Sequence, residues 1–516
     1  MYVNVNCATL HGVDALLVNL EVDLNTKAVP AFSMVGLAES SVREARERVF
    51  SALANCGYKL PTARIIVNLA PADRKKQGTA FDLPLALGLL AASRIIDPAC
   101  LEGVFACGEL SLGGELKPVP GVLSIAMLAQ EQKARALIVP WANGEETAPV
   151  PGLPVFAVKD LPEVMAVLAG EGQPYMSPSS EQPEPDGAYS LDFSEVRGQE
   201  MAKRAIEIAA AGGHNILFVG PPGSGKTMLA RRIPGILPEL LFEESMQVSK
   251  IYSAAGENIE LPGNGRQHGL IRTRPFRAPH HTISYAGLVG GGSNPRPGEI
   301  SLAHCGVLFL DELLEFPRSV LEALRQPLES GEVHISRAGI ALSYPAKFML
   351  VAAMNPCPCG YLTDSVHRCT CTARQVQNYK SRLSGPLADR IDLHVEVPAV
   401  AYSEWRSSVM GKNSAQMRAS VQSVRDIQTK RYQRCHILAN SELSGKLLEE
   451  FAPLGREEHD FLEMAASRLG LSARSCTRVV RIARTIADLE QQADIRVPHL
   501  AEAVNCRFLD RAGQTV

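Results

Sequence analysis

Residues 220–227 read Gly220, Pro221, Pro222, Gly223, Ser224, Gly225, Lys226, Thr227, directly after the apolar run Ile216, Leu217, Phe218, Val219. Few octapeptides constrain a fold as tightly, because each residue type has a task. The glycines let the backbone curl so that successive N–H groups face a phosphate. Lys226 reaches the outer phosphates, and Thr227 offers its hydroxyl to Mg²⁺. A helix-like run over 228–232 follows, and a helix starting near Lys226 would turn its positive end toward the phosphates. A strand–loop–helix unit that binds a nucleoside triphosphate is therefore expected.

The chain has 516 residues, too many for one ordinary core, and about two to four domains are expected. Its net charge of −3 makes it no general polyanion sponge, so any nucleic-acid contact must come from a local patch. No run approaches the roughly 20 apolar residues of a membrane span. The N-terminus lacks a basic start followed by an apolar core, so no signal peptide is expected. A cytoplasmic location follows as an expectation, and the 12 cysteines then read as thiols or metal ligands rather than disulfides.

Residues 171–189 are rich in Pro, Ser, Gly and acid, with little to bury, and mark a linker. Before it, 13–22, 64–69 and 136–139 read as strands. Residues 40–55 read as a helix with Arg43, Glu44, Arg46, Glu47 and Arg48 on a charged face, and 83–92 as an apolar helix. From about 194 to 400 strand and helix runs alternate, as in a parallel sheet covered by helices. From about 401 the pattern is helical, over 414–434, 456–469, 473–491 and 498–509.

Val307 to Leu310 form a buried-strand run that ends in Asp311 and Glu312, the Walker B pattern. Asp311 would hold Mg²⁺ through water and Glu312 would polarise an attacking water. A third strand, 348–353, leads to Asn355, placed for a sensor between γ-phosphate and water; the alternative is a turn-forming Asn before Pro356. This layout resembles the AAA+ superfamily. Residues 192–199 resemble its lead-in beside the adenine. Residues 383–392 resemble the segment that carries an arginine finger in its magnesium-chelatase and replicative-helicase clade. By that resemblance Arg390 reaches the ATP of a neighbouring subunit, where a positive charge stabilises the transferring phosphoryl group. The plain alternative is a pairing of Arg390 with Asp389 or Asp392. Arg474, with Arg478 as second choice, resembles the second sensor. With Arg481 and Arg484 these residues also fit a solvated or DNA-facing stripe.

The stretches 274–284, 290–292, 297–304, 324–329 and 355–360 are more specific. With them the chain resembles the magnesium-chelatase-like ComM/YifB family over nearly its whole length. The resemblance implies a multidomain α/β architecture: a Lon-protease-like N-terminal domain related to ribosomal protein S5 domain 2 (1–170), the linker, an AAA+ P-loop core (190–400) and a helical lid (401–516). Within the core, 287–299 fits a pore insertion. Residues 332–344 read as a β-hairpin with Ser336, Arg337 and Gly339 at its tip. Such a hairpin grips nucleic acid in related ring helicases, and an Arg there suits phosphate contact; a plain surface hairpin is the alternative. In the N-terminal domain, Ala80 and Leu123 align with the Lon serine and lysine, so no Ser–Lys chemistry is expected. Arg74, Lys75 and Lys76 form a basic cluster that is either a DNA contact or a solvated loop. Two cysteine pairs, Cys357 with Cys359 and Cys369 with Cys371, bracket a short loop. They suit a tetrahedral Zn²⁺ site or are simply free thiols.

The resemblance implies an ATP- and Mg²⁺-dependent homohexameric DNA translocase or helicase. It would promote branch migration and integration of single-stranded DNA in natural transformation, beside recombination proteins, and would have no membrane partner. A magnesium-chelatase motor subunit and a protein-remodelling chaperone are the alternative readings.

Overall fold

In the computed structural model the described residues are 1–516 apart from 38, 74, 77, 177–190, 258–265, 268, 293–294, 338–339, 365–366, 401–410, 436, 508 and 510–516. Most of the expected linker, Arg74 and Gly339 therefore lie outside the described residues.

The chain opens with β1 (Tyr2–His11) and β2 (Asp14–Asn25), an antiparallel pair in register from Tyr2↔Asp23 to His11↔Asp14. Strand β1 was not among the expected strands, yet its Val3, Val5 and Cys7 alternate inward against outward Asn4 and Asn6. Next come β3 (Ala31–Val35), β4 (Arg64–Ala70), β5 (Val104–Ala106), the small hairpin β6–β7 (Glu109–Leu110, Leu116–Lys117), β8 (Ala136–Pro140) and β9 (Val155–Val158). Seven of them form one mixed sheet in the order β3-β4-β2-β1-β5-β8-β9. Helices Ser40–Asn55 and Asp82–Ala92 pack on one face, and Val122–Glu131 on the other. Asp82 is fully buried and takes a bidentate pair from Arg48, at 2.7 and 2.9 Å, and Leu110 N–H at 3.2 Å. Part of the charged face read from the sequence thus serves as an internal anchor.

The second sheet is wholly parallel. Its strands are β10 (Ile216–Val219), β13 (Phe276–Arg277), β16 (Val307–Leu310), β19 (Met349–Met354) and β20 (Leu393–Glu396), in the order β13-β16-β19-β10-β20. Between them lie three hairpins: β11–β12 (Arg266–Gln267, Leu270–Ile271), β14–β15 (Gly290–Gly291, Arg296–Pro297) and β17–β18 (Glu332–Arg337, Ile340–Pro345). The central strands are apolar on both faces, as a doubly covered parallel sheet requires. Ile216, Phe218, Phe309 and Val351 face helix Glu200–Gly212 and the C-terminal helices. Leu217, Val219, Leu308 and Ala352 face helix Phe242–Ala255.

The C-terminal region is helical: Ser414–Arg431, Lys446–Phe451, Arg456–Leu469, Ala473–Leu489 and Val497–Asn505. Its first helix starts at a capping box, with Asn413 accepting from Gln416 N–H at 2.8 Å and Gln416 reaching back to Asn413 N–H at 3.1 Å. These helices share one hydrophobic core with a face of the parallel sheet.

The N-terminal domain is latched to the other face. Val13, at the β1–β2 turn, is buried in the core around Leu308 and Leu310. Gly121 N–H donates to Ser253 O at 2.8 Å, Ser253 Oγ donates to Glu146 at 2.6 Å, and Lys250 pairs with Asp14 at 2.6 Å. Among the described residues no helix is long and apolar enough to cross a membrane.

Candidate active site

In a parallel sheet the loops after the strands share one edge, and here β16, β19 and β10 are neighbours. That adjacency brings Asp311, Asn355 and the loop 220–227 together from distant parts of the chain. Lys226 Nζ donates to Gly220 O at 2.7 Å, Pro221 O at 2.8 Å and Asn355 Oδ1 at 3.3 Å. Burial lowers the pKa of its ammonium, while Asp311 and Glu312 oppose the shift. Thr227 Oγ1 donates to Asp311 Oδ2 at 2.6 Å, and Glu312 N–H donates to Asp311 Oδ1 at 2.9 Å.

The loop's backbone admits little else. A Cβ on Gly220 would lie 2.1 Å from Val397 O, and Gly223 and Gly225 adopt φ of 76° and 89°. Ser224 Oγ is buried without a hydrogen-bond partner among the described residues. Pro221 and Pro222 complete the bend, and Gln199 Nε2 ties it to Pro398 by donating to Ser224 O at 3.1 Å and Pro398 O at 2.7 Å. The helix after the loop, Lys226–Ala230, is only five residues long and gives way to a 3₁₀ turn at Ile233–Ile236. Its dipole is thus smaller than the sequence suggests, leaving the loop N–H groups and Lys226 as the main positive field.

His280 and His281, which the sequence leaves as either channel-facing or buried and not as catalytic candidates, border the site. His281 Nδ1 lies 3.4 Å from Glu312 Oε2, and its ring contacts His280 and Phe316. His281 follows β13 and precedes helix Tyr285–Val289, so it links Glu312 to the β14–β15 segment. No spacing rule marks such a pair; only the adjacency of β13 and β16 makes it.

Arginines gather at the opposite edge of the sheet. Asn215, just before β10, accepts Asp392 N–H at its backbone oxygen at 3.1 Å and donates through Nδ2 to Arg390 O at 3.0 Å. Asp392 is buried and contacts His214 at 3.4 Å and Arg478 at 3.2 Å. Burial works against its charge, yet the His214 ring with Arg478 and Arg481 holds its carboxyl below the usual range. A four-residue strand spans about 13 Å, so Arg478 and the backbone of Arg390 stand roughly that far from their own phosphate loop. The Arg390 side chain is engaged by Glu329 and Pro386 O, rather than by Asp389 or Asp392. Arg474 is exposed at the start of helix Ala473–Leu489.

Of the stripe Arg478, Arg481 and Arg484, the last is buried and the first two are half-buried. Arg484 is buried and bonds Asp488, Gln492 O and Ala493 O at 2.9, 2.7 and 2.6 Å. Arg478 pairs with Asp392, and Arg481 lies in its field. The basic cluster at 74–76 changes likewise: Lys76 is buried with its amine on Pro71 O. Lys75 lines a cleft of about 570 Å³ with Ala80, Arg296 and Ala341, between the N-terminal domain and the hairpins β14–β15 and β17–β18. Leu123 is buried in helix Val122–Glu131. In β17–β18, Arg337 pairs with Ile340 beside the tip, and Ser336 is exposed.

The four cysteines converge. Cys357 Sγ lies 3.3 Å from Cys359 Sγ and 3.7 Å from Cys369 Sγ, and Cys359 to Cys369 is 3.5 Å. With Cys371 all four sulfurs lie within 4.8 Å of one another. A tetrahedral Zn–S₄ centre with bonds of about 2.3 Å needs sulfurs about 3.8 Å apart, so the set fits such an ion. Backbone N–H groups of Tyr361 and Thr370 hold Cys359 down at about 6, while burial pushes Cys357 up to about 12. His367 turns instead to Asp364, at 2.9 Å.

A parallel α/β core with Walker-type residues at its strand ends, flanked by a mixed-sheet domain and a helical region, is the build of a magnesium-chelatase-like ATPase. Family models agree along the chain: "Magnesium chelatase, subunit ChlI" matches 192–405, "Subunit ChlI of Mg-chelatase" 20–143, and "Magnesium chelatase, subunit ChlI C-terminal" 411–507. The chain is 44% identical to competence protein ComM of Haemophilus influenzae, over 97% of this chain and 96% of that one. It is also 44% identical to the YifB protein of Escherichia coli over the same shares. A shorter match, 29% over 170 residues, joins 32% of the chain to 23% of the magnesium-chelatase 67 kDa subunit of Chlorobaculum tepidum. The chain belongs to the ComM/YifB family of ChlI-like proteins.

Proposed function

We propose that the chain is an ATP-hydrolysing DNA translocase of the AAA+ type. It works as a homohexameric ring in the cytoplasm and drives branch migration that integrates single-stranded DNA during natural transformation, alongside recombination proteins. Residues 1–170 form a Lon-like domain without protease chemistry, since Ala80 and Leu123 offer neither hydroxyl nor amine. Residues 171–189 link it to the ATPase core at 190–400, and 401–516 serve as the lid.

The observation that carries this reading is the division of charged groups between the two sheet edges. Lys226, Thr227, Asp311, Glu312 and Asn355 meet at one edge, while Arg390 and the helix bearing Arg474 belong to the other. A chain built this way completes its site by head-to-tail contact, which gives a ring when the rotation between neighbours closes. Gly220–Thr227 and Lys226 hold the phosphates, Thr227 and Asp311 hold Mg²⁺, Glu312 orients the attacking water and Asn355 fixes its position. Mg²⁺ would neutralise charge between the β- and γ-phosphates. Arg390 must leave Glu329 to reach the neighbour's phosphate, so assembly and activation are linked. Ser336, Arg337 and Gly339 at the β17–β18 tip would contact DNA phosphates, braced by Gly12 of the β1–β2 turn, where a Cβ would lie 3.4 Å from Ser343 O. The printed name of the Haemophilus relative supports the link to competence.

A chelatase motor subunit is less favoured. The curated chelatase match covers only 32% of this chain, against 97% for ComM.

Subunit mixing tests the divided site. Lys226→Ala and Arg390→Ala chains are each inactive alone. Mixed one to one, they regain about a quarter of wild-type ATP turnover, because that share of interfaces pairs an intact loop with an intact finger. No recovery would place Arg390 on its own chain's nucleotide or outside the site.

A further inference from the structure

The four-cysteine cluster is joined to the nucleotide site from two sides. On the first side, β19 ends at Met354, whose carbonyl accepts Gly220 N–H at 3.2 Å, and Asn355 follows directly. Two residues on, Cys357 begins a turn that Gly360 N–H closes onto Cys357 O at 3.0 Å. Gly360 has φ of 88°, and a Cβ there would lie 2.5 Å from Pro222 Cδ and 3.8 Å from Asn355 Cγ. The turn made by the first cysteine pair therefore rests against the phosphate loop.

On the second side, Cys369 and Cys371 lead into helix Ala373–Lys380, capped by Thr372 and Gln375. That helix buries Tyr379 in the core, and Arg382 just beyond it donates to Leu314 O at 3.2 Å, in the 3₁₀ turn that follows Glu312. A metal ion joining the two cysteine pairs would cross-link the sensor side of the site to its Walker B side.

We propose that a Zn²⁺-class ion held by Cys357, Cys359, Cys369 and Cys371 braces the phosphate loop and Asn355, so that the metal-bound chain binds nucleotide tightly and the metal-free chain binds it weakly. The inference rests on the nucleotide site proposed above. Second-sphere supports of this kind typically change affinity by about 10- to 100-fold. Thiolate donors in a set of four select a soft or borderline cation and exclude Mg²⁺ or Ca²⁺.

The test uses the full chain and two readouts, metal content by elemental analysis and dissociation constants for a fluorescent ADP analogue. Wild type is expected to carry one zinc per chain. The double variant Cys369→Ser, Cys371→Ser is expected to carry none and to bind the analogue at least about tenfold more weakly. Gly360→Ala keeps all four thiolates; it is expected to retain zinc yet weaken binding, since its Cβ meets Pro222. If the cysteine variant fails to fold, wild type stripped by a chelator, with unchanged far-UV circular dichroism, supplies the metal-free arm. Metal-free chain with unaltered affinity would overturn the brace. Wild type that neither carries nor takes up zinc but binds nucleotide would overturn the metal site alone. Zinc-loaded wild type that binds no nucleotide would instead sink the nucleotide site on which the inference rests.

Discussion

Lys226→Ala is expected to lower ATP turnover by about 10²–10³, the range seen when one preorganised charge donor is removed from a transferring or tetrahedral centre. The amine donates to two loop carbonyls at 2.7 and 2.8 Å and to the Asn355 amide oxygen at 3.3 Å, partners that phosphate oxygens would replace. Alanine removes both the charge and its link to Asn355. Binding of a fluorescent nucleotide should fall together with the rate, because the interaction serves the ground state as well as the transition state. The fold should survive, since the Lys226 amine bonds loop carbonyls and the Asn355 side chain. A thermal melt unchanged within a few degrees, beside lost turnover, is the expected pair of results.

Glu312→Gln is expected to separate binding from hydrolysis. Glu312 follows Asp311 in a left-handed conformation, φ 51°, and its Oε2 lies 3.4 Å from His281 Nδ1. Its amide analogue keeps the shape but cannot take up a proton, at a cost of about 10²–10⁴ in rate. Nucleotide affinity should stay close to wild type because Thr227, Asp311 and Lys226 are untouched. The variant should accumulate as an ATP-bound ring on DNA, visible as a slow species in sedimentation. A variant that hydrolyses ATP at the wild-type rate would remove Glu312 from the mechanism.

Much of the candidate site around residues 220–227 was legible in the sequence because it is local. A short apolar run followed by Gly-rich or acidic residues identifies a strand and its tip at once, as at 216–227 and 307–312. Helix Arg456–Leu469 matched its expected bounds because apolar spacing and a terminal Gly470 mark its face and its end. The failures involve partners that the residue pattern does not reveal, some distant in the chain and some only a turn or so away. Arg478, Arg481 and Arg484 repeat at helical spacing and fit a surface stripe, yet Arg478 pairs with Asp392, just before β20, and Arg481 lies half-buried in the field of that carboxylate. Asp488, one turn beyond Arg484 on the same helix, buries the third. Lys76 looked like one of three exposed charges, but its amine folds back on Pro71. The contact between His281 and Glu312 depends on the order of strands in the sheet, which periodicity does not encode. Gly360 against Pro222 is likewise a tertiary fact.

The central claim is that ATP hydrolysis by this chain is coupled to DNA. Steady-state ATP turnover of the purified protein, with and without forked or four-way DNA, tests it most directly. The account predicts a severalfold rise on adding DNA, and loss of that rise in Arg337→Ala, whose residue stands beside the β17–β18 tip. A wild-type rate identical with and without DNA would contradict it.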